Sequence, residues 1–329
     1  MRQDICGCLT ACFPWGFLVD SAVVVQVDSD FGNIERLAGS ACCFGVFDGV
    51  HRGHRCLIDA TIADAHERGT NAVVVTFDID PDELFDPDGL RKLMSNGARI
   101  DALAQTGVDC VLVLPFTKEF AALEPEDFLT TCFGVALPLS LNVGSNFRFG
   151  RKAKGDVYEL SLWGAKHGMA VFAHDLEELS GEPVSATRIR KLLFDGRNIK
   201  QANKLLGRPY RMGGRVERGR QEGRDMGFRT ANVFVAKQLR ALGEGVYAAY
   251  ATVDGNRYKA AVSVGVSPTF ADETHAFCEA HLLDFDADIY GDIIELDFIE
   301  WLRPMMKFDD VDELISTVMG NINWVRANL

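Results

Sequence analysis

The sequence has no apolar run approaching the ~20 residues that a membrane-spanning helix needs, and no self-similarity at the period of a solenoid or propeller. It is also poor in positive charge. Lys and Arg total 34 against 47 Asp and Glu, a formal net charge of −13, and a surplus of that sign opposes non-specific binding to nucleic acid. Any anionic ligand must therefore be gripped by local groups, and neither nucleic acid nor membrane is expected as a partner. No Cys-x-x-Cys pair occurs among the nine cysteines. Cys6, Cys8 and Cys12 cluster without a matching second half, while Cys42 and Cys43 lie inside an apolar run as small core residues. Reduced thiols and a cytoplasmic location are the expectation. Residues 5–19 come nearest to a signal peptide. Asp4 interrupts the stretch before them and no small-x-small cleavage site follows, so they read as an N-terminal extension.

What is present is the composition of a globular protein, 47% apolar and 25% charged over 329 residues, enough for about two domains. Short apolar runs at residues 23–27, 41–46, 72–77, 110–115 and 139–143 alternate with helical patterns such as 55–68 and 97–105. That alternation predicts βαβ units and a parallel sheet covered on both faces. Residues 78–88 hold six acids, two prolines and no base, which predicts an exposed loop. Two short helices are expected over 185–207, and then the character changes. Runs at 212–216, 230–235, 245–253, 258–266, 279–284 and 293–298, separated by Gly-containing turns, predict an antiparallel barrel or sandwich. A terminal helix follows, with Val311, Leu314, Ile315, Val318, Ile322 and Val325 on one face. The boundary falls near residues 190–208.

Residues 43–54 read Cys-Phe-Gly-Val-Phe-Asp-Gly-Val-His-Arg-Gly-His, after an apolar strand and before a helix. A glycine-rich turn of this kind lets backbone N–H groups approach a phosphate, and the helix N-terminus adds positive potential. His51 and His54, three apart, share a face of the first turn and suit hydrogen-bond donation to phosphoryl oxygens as charge builds. On these residues alone a metal pair, or a capped helix with two surface histidines, is an open alternative. Farther on, Thr187 offers a hydroxyl, and Arg188 and Arg190 offer planar cations at a helix start. Ser185 could be only an N-cap. Thr230 and Asn232, on a strand, would point to one face and present hard oxygen ligands suited to Mg²⁺ beside ATP phosphates, or form an ordinary polar strand edge.

Together, in this order, these motifs resemble the bacterial bifunctional riboflavin kinase/FMN adenylyltransferases, or FAD synthetases. The resemblance runs over roughly residues 40–329. It rests on the 45–54 turn, Phe77-Asp78, the run 114–120, Asn146-Phe-Arg-Phe-Gly150, Ser185-Ala-Thr-Arg-Ile-Arg190, the stretch 223–233 containing Thr230-Ala231-Asn232, and the segments 245–248, 265–270, 279–285, 288–291 and 301–303. The chain departs from the family pattern at Ala186 (usually Ser), Asp80 (usually His), Arg229 (usually Pro) and Ser267 (usually Asn).

The resemblance implies an α/β Rossmann-like nucleotidyltransferase domain followed by an antiparallel β-barrel riboflavin-kinase domain with a C-terminal helix. Residues 1–190 would form the first, 191–207 a helical linker and 208–329 the second. It implies ATP-dependent phosphorylation of riboflavin to FMN and adenylylation of FMN to FAD. ATP would be the co-substrate and Mg²⁺ the metal. His51, His54 and Arg188 would stabilise charge in adenylyl transfer, and Glu279 would act as base on the ribityl 5′-hydroxyl. Gly45, Phe47, Asp48, Gly49, Gly53, Asn146, Ser185, Thr187 and Arg190 would bind ATP or flavin in the first module. Gly223, Arg224, Gly227, Thr230 and Asn232 would do so in the second, Thr230 and Asn232 also holding the metal. The departures leave open a chain with one active module, or a flavin-binding regulator without catalysis.

Overall fold

Continuous apolar runs suit strands buried on both faces, and the first half is built that way. The computed structural model describes the chain apart from residues 1–20, 29–30, 32–33, 87–88, 90, 196–197, 219–227, 240, 267–274 and 309. The Cys6–Cys12 cluster, Gly223, Arg224, Gly227 and Ser267 lie outside the described residues. Strands β1 (Val23–Gln26), β2 (Ala41–Phe44), β3 (Ala72–Phe77), β4 (Cys110–Leu114), β5 (Ser140–Gly144) and β6 (Ala170–His174) form one sheet in the order β1-β4-β3-β2-β5-β6. Every pairing in it is parallel.

Alternate side chains of β2, β3 and β4 enter opposite cores. Ala41, Cys43, Val74 and Val111 pack with Ile58 and Ala65 of α1 (Arg52–Arg68) and Leu103 of α3 (Asn96–Ala104). Cys42, Phe44, Val75 and Leu112 pack with Phe128 and Phe133 of α5 (Pro125–Phe133) and Leu160 of α6 (Val157–His167). Each large apolar side chain buried this way contributes about 1.5–3 kcal/mol. The chain runs outward through β3 and β4, then returns to lay β5 on the other side of β2. That reversal opens a crevice beyond the carboxyl ends of β2 and β5, where open α/β sheets bind their ligands.

Two expectations are corrected here. Residues 78–88 are not simply an exposed loop: Pro81–Phe85 forms a short helix, α2, closed by a capping box between Asp80 and Glu83. Lys92 donates to Glu83 at 2.6 Å, and Asp80 is buried. Edge strand β6 is an addition, its Val171 packing on the sheet core while Phe172 stays exposed.

After the hairpin of β7 (Glu178–Leu179) and β8 (Glu182–Pro183) come α7 (Ala186–Phe194) and α8 (Ile199–Leu206). Strands β9 (Tyr210–Glu217), β10 (Ala231–Ala236), β11 (Gly245–Val253), β12 (Asn256–Val266), β13 (His275–Leu282) and β14 (Ile293–Arg303) then close an antiparallel barrel in the order β10-β13-β12-β11-β14-β9. The alternative of a sandwich is thereby settled. Inward residues such as Val233, Tyr247, Val262, Ala280, Leu296 and Phe298 fill it. Ile189 and Leu193 of α7, and Ile199, Ala202 and Leu205 of α8, belong to the same core. These helices plug one end of the barrel rather than merely link two modules. The last helix, α9 (Val311–Asn328), lays Ile322 and Val325 on the outside of the barrel, over Ala248 and Leu283. Val311, expected on that face, is exposed. Among the described residues no helix is long and apolar enough to cross a membrane, and no disulfide forms.

Candidate active sites

The turn between β2 and α1 is set by left-handed backbone. Phe47 has φ 60°, Gly49 φ 78° and Val50 φ 39°. Only glycine adopts such angles without cost, and at Gly49 a side chain would also meet Leu93, whose Cδ1 lies 2.6 Å from an added Cβ. His51 caps α1, its Nδ1 accepting the backbone N–H of His54 at 3.3 Å. An imidazole that accepts at Nδ1 carries its proton on Nε2. The His51 and His54 rings stack with centroids 3.6 Å apart, backed edge-on by the buried Phe47. Burial, then the nearby Arg208 and Arg190 charges, push the pKa of His51 down to about 4. Burial, then His51 and Arg208, hold His54 well below its ordinary value. Both are neutral donors at pH 7. Neither is a surface histidine, and among the described residues no three His, Cys, Asp or Glu side chains gather to hold a metal.

The pair lines a cavity of about 840 Å³ with Gly45, Gly53, Gly144, Asn146, Ser185 and Ala186. Gly53 lets the first turn of α1 approach the chain, since an added Cβ would lie 3.1 Å from the Val184 carbonyl. A second cavity of about 850 Å³ shares Gly45, Asn146 and Phe147 with the first and is lined by Phe77, Phe85, Phe116, Phe149, Arg148 and Lys152. Asn146 stands between the two.

Several expected binding groups are already engaged. Asp48 is buried, accepting the Leu93 amide at 3.1 Å and Arg190 at 2.7 Å. Arg190 also donates to the Arg91 carbonyl. Ser185 is the N-cap of α7, accepting from the Arg188 amide. Thr187 is exposed on the first turn of that helix. Arg188 donates to the carbonyls of Leu179, Glu182 and Pro183 and pairs with the Glu182 carboxylate at 3.0 Å. Its guanidinium braces the β7–β8 hairpin, and it does not line the histidine cavity as formed here. Two residues that matter were missed in the sequence. Arg99, buried on α3, donates to the Val46 and Phe77 carbonyls and to Thr76, fixing the strand ends around the glycine turn. Arg208 donates to the Gly49 carbonyl at 2.7 Å. Arginines in a helix and near a turn look like solvated charge, so nothing local marked them.

On the barrel, Asn232 of β10 lies directly opposite Glu279 of β13, and Ser263 of β12 opposite Glu279 on its other side. Thr230, one residue before β10, donates its hydroxyl to Glu279. Thr230, Asn232 and Glu279, with Ser263 beside them, thus meet on the outer face, as alternation predicts. A smaller cavity of about 230 Å³ beside them is lined by Thr230, Arg229, Asp286, Asp288 and Tyr290. Arg229, in the place of the usual proline, pairs with Asp286.

Residues 33–188 match the FAD synthetase family and residues 206–329 the riboflavin kinase family. The chain is 33% identical over 290 residues to the bifunctional riboflavin kinase/FMN adenylyltransferase of Pseudomonas fluorescens, covering 88% of this chain and 93% of that protein. It belongs to the bifunctional riboflavin kinase/FMN adenylyltransferase family. The Escherichia coli (strain K12) member is 34% identical over 279 residues, 84% of this chain and 88% of that one. A solved structure described as a macrolide-efflux protein from Streptococcus pneumoniae superposes with a TM-score of 0.83 at 29% identity, over 93% of this chain and 99% of that one. Of the departures from the family pattern, Ala186 removes a hydroxyl from the wall of the histidine cavity, whereas Asp80 caps α2 and is satisfied there.

Proposed function

We propose that this chain makes both flavin cofactors in succession, phosphorylating riboflavin at the barrel and adenylylating the FMN product at the crevice beyond β2 and β5. The observation that carries the reading is the coexistence, in one chain, of a hydroxyl-bound carboxylate on the barrel and a separate pair of neutral stacked imidazoles at a glycine turn. Residues 1–190 are assigned to adenylyl transfer and residues 208–329 to the kinase, with α7, which begins before residue 191, and α8 built into the barrel end. In the first site ATP phosphates lie along Gly45, Gly53 and the start of α1, where backbone N–H groups face an anion. The flavin ring occupies the aromatic cavity, with Arg148 and Lys152 at its rim. The FMN phosphate attacks the α-phosphorus, a P–O bond forms and pyrophosphate leaves. His51 and His54 donate to the oxygens that gain charge, a contribution of roughly 10²–10³ in rate for one such donor.

In the second site Glu279 accepts the proton of the ribityl hydroxyl as it attacks the γ-phosphorus, and ADP leaves. Thr230 and Asn232 supply hard oxygen donors, which fits Mg²⁺ shared with the ATP phosphates. When bound, the ion neutralises phosphate charge. Glu279 and Asn232 hold their positions through the β10–β13 register, and Thr230 through its hydrogen bond to Glu279. Reduced cysteines and dependence on ATP support a cytoplasmic location. The test is incubation with riboflavin, ATP and Mg²⁺, separating riboflavin, FMN and FAD by chromatography. FMN should appear first and FAD after it. FMN that accumulates without FAD, even when supplied, would remove the adenylyltransferase half of the reading.

A further inference from the structure

The 47–51 turn is strained, and what holds it comes from elsewhere in the chain. Phe47 and Val50, both side-chain-bearing and Val50 β-branched, sit at positive φ, a conformation that costs of order 1–3 kcal/mol per residue and persists only when its surroundings over-determine it. Asp48 is tied to the Leu93 amide and to Arg190. The carbonyls of Gly49 and Val50 are taken by Arg208, at 2.7 and 3.4 Å. Arg208 stands between α8 and β9, at the entrance to the barrel. Gly207 before it is left-handed, and an added Cβ there would lie 3.4 Å from Arg52, the first residue of α1.

The geometry points to Arg208 as a positioning residue for adenylyl transfer: a side chain carried by the kinase half holds the strained turn that presents His51 and His54. This rests on the adenylyltransferase reading above. Released from Arg208, Val50 would relax toward negative φ and carry His51, the next residue and the cap of α1, out of place. A displacement near 1 Å at such a site costs on the order of 10²-fold in rate. The candidate kinase cluster lies at the far end of β9, where Glu217 is the register partner of Asn232. At ~3.3 Å per residue that is roughly 25 Å away, so phosphorylation of riboflavin serves as the internal control.

The test uses the full chain with Arg208→Met and Arg208→Lys. Arg208→Met should lower kcat for FAD formation from supplied FMN on the order of 10²-fold, with KM for ATP and FMN within about three-fold and riboflavin phosphorylation within about two-fold. Arg208→Lys, which keeps the charge but only one donor nitrogen, should recover about a tenth of the native rate or more. Hydrogen exchange of peptides covering residues 45–55 should quicken in Arg208→Met while peptides covering β11 and β12 do not change. That readout reports on the turn itself: a native protein that makes no FAD would sink the functional reading, while the exchange would still tell whether Arg208 holds the turn. Unchanged exchange at 45–55, or equal losses of both activities, overturns the proposal. If Arg208→Met does not fold, Arg208→Lys decides: native kcat and native exchange at 45–55 would overturn it.

Discussion

An imidazole that is already neutral keeps the same N–H donor on either side of pH 7, so its contribution to a developing phosphate charge does not change across the neutral range. His54→Ala removes one such donor and should slow conversion of FMN to FAD by ~10²–10³, with riboflavin phosphorylation nearly intact. Glu279→Gln keeps shape and removes the base, so it should slow phosphorylation alone, by ~10²–10⁴. Assaying both variants for both steps checks the division, and equal impairment of both steps in folded variants would show it to be wrong. The same burial has a cost in acid. His51 titrates near 4 in the folded chain, below the ~6.5 of an unfolded one. Between those values the unfolded chain binds the proton and the folded chain does not, so stability present above about pH 6.5 is lost as pH falls and levels off near 4. His51→Asn keeps a good N-cap without the titration. Denaturant unfolding at pH 7 and 4.5 should show the variant losing ~2 kcal/mol less than the native protein between those pH values.

At the scale of the element, the barrel depends on close approaches, of which that at Gly214 is the tightest among its described glycines. An added Cβ at Gly214 of β9 would stand 2.0 Å from the Phe234 carbonyl of β10, whereas at Gly213 the nearest atom is 3.4 Å away. Gly214→Ala must force two paired strands apart and should cost ~3 kcal/mol or more. Gly213→Ala should change stability by less than about 1 kcal/mol. Urea unfolding of the two variants checks the contrast, and similar midpoints would refute it. Nothing in the sequence distinguishes these neighbouring glycines, because the close approach is made by a strand that follows later in the chain. The elements that were legible are those whose own pattern reports their surroundings: doubly buried β2 to β5, the alternating barrel strands and the 43–54 turn before α1. The 78–88 stretch misled because six acids look solvated, yet Asp80 and Glu83 cap a helix and Lys92 pairs with Glu83 from nine residues away. Two juxtapositions that the motifs suggested are present, His51 beside His54 and Thr230 and Asn232 beside Glu279. The engagement of Arg188 by the β7–β8 hairpin was not legible, since it depends on where three backbone carbonyls come to lie.

For the whole molecule, the question is where one module ends. Composition changes near residues 190–208, and a cut at 205 looks natural from the sequence. The packing argues for an earlier one. Val184, Ile189, Leu193, Ile199 and Ala202 share the barrel's core, and the Leu193 carbonyl accepts the Gly243 amide at 2.9 Å. Removing Ile189, Leu193 and Ile199 alone forfeits about 1.5–3 kcal/mol apiece, which rivals the 5–15 kcal/mol that holds a typical domain together. A fragment of residues 184–329 should therefore fold, unfold cooperatively in urea and phosphorylate riboflavin. A fragment of residues 205–329 should unfold at a clearly lower urea concentration or show no cooperative transition by circular dichroism. Leu93 from the first half also lies in this core, and the Lys92 amide donates to the Gln238 carbonyl at 2.6 Å, so even the longer fragment should be less stable than the barrel in the full chain. Equal urea midpoints for the two fragments would mean that α7 and α8 are not part of the barrel's cooperative unit, and that the core they share in the structure does not govern its folding.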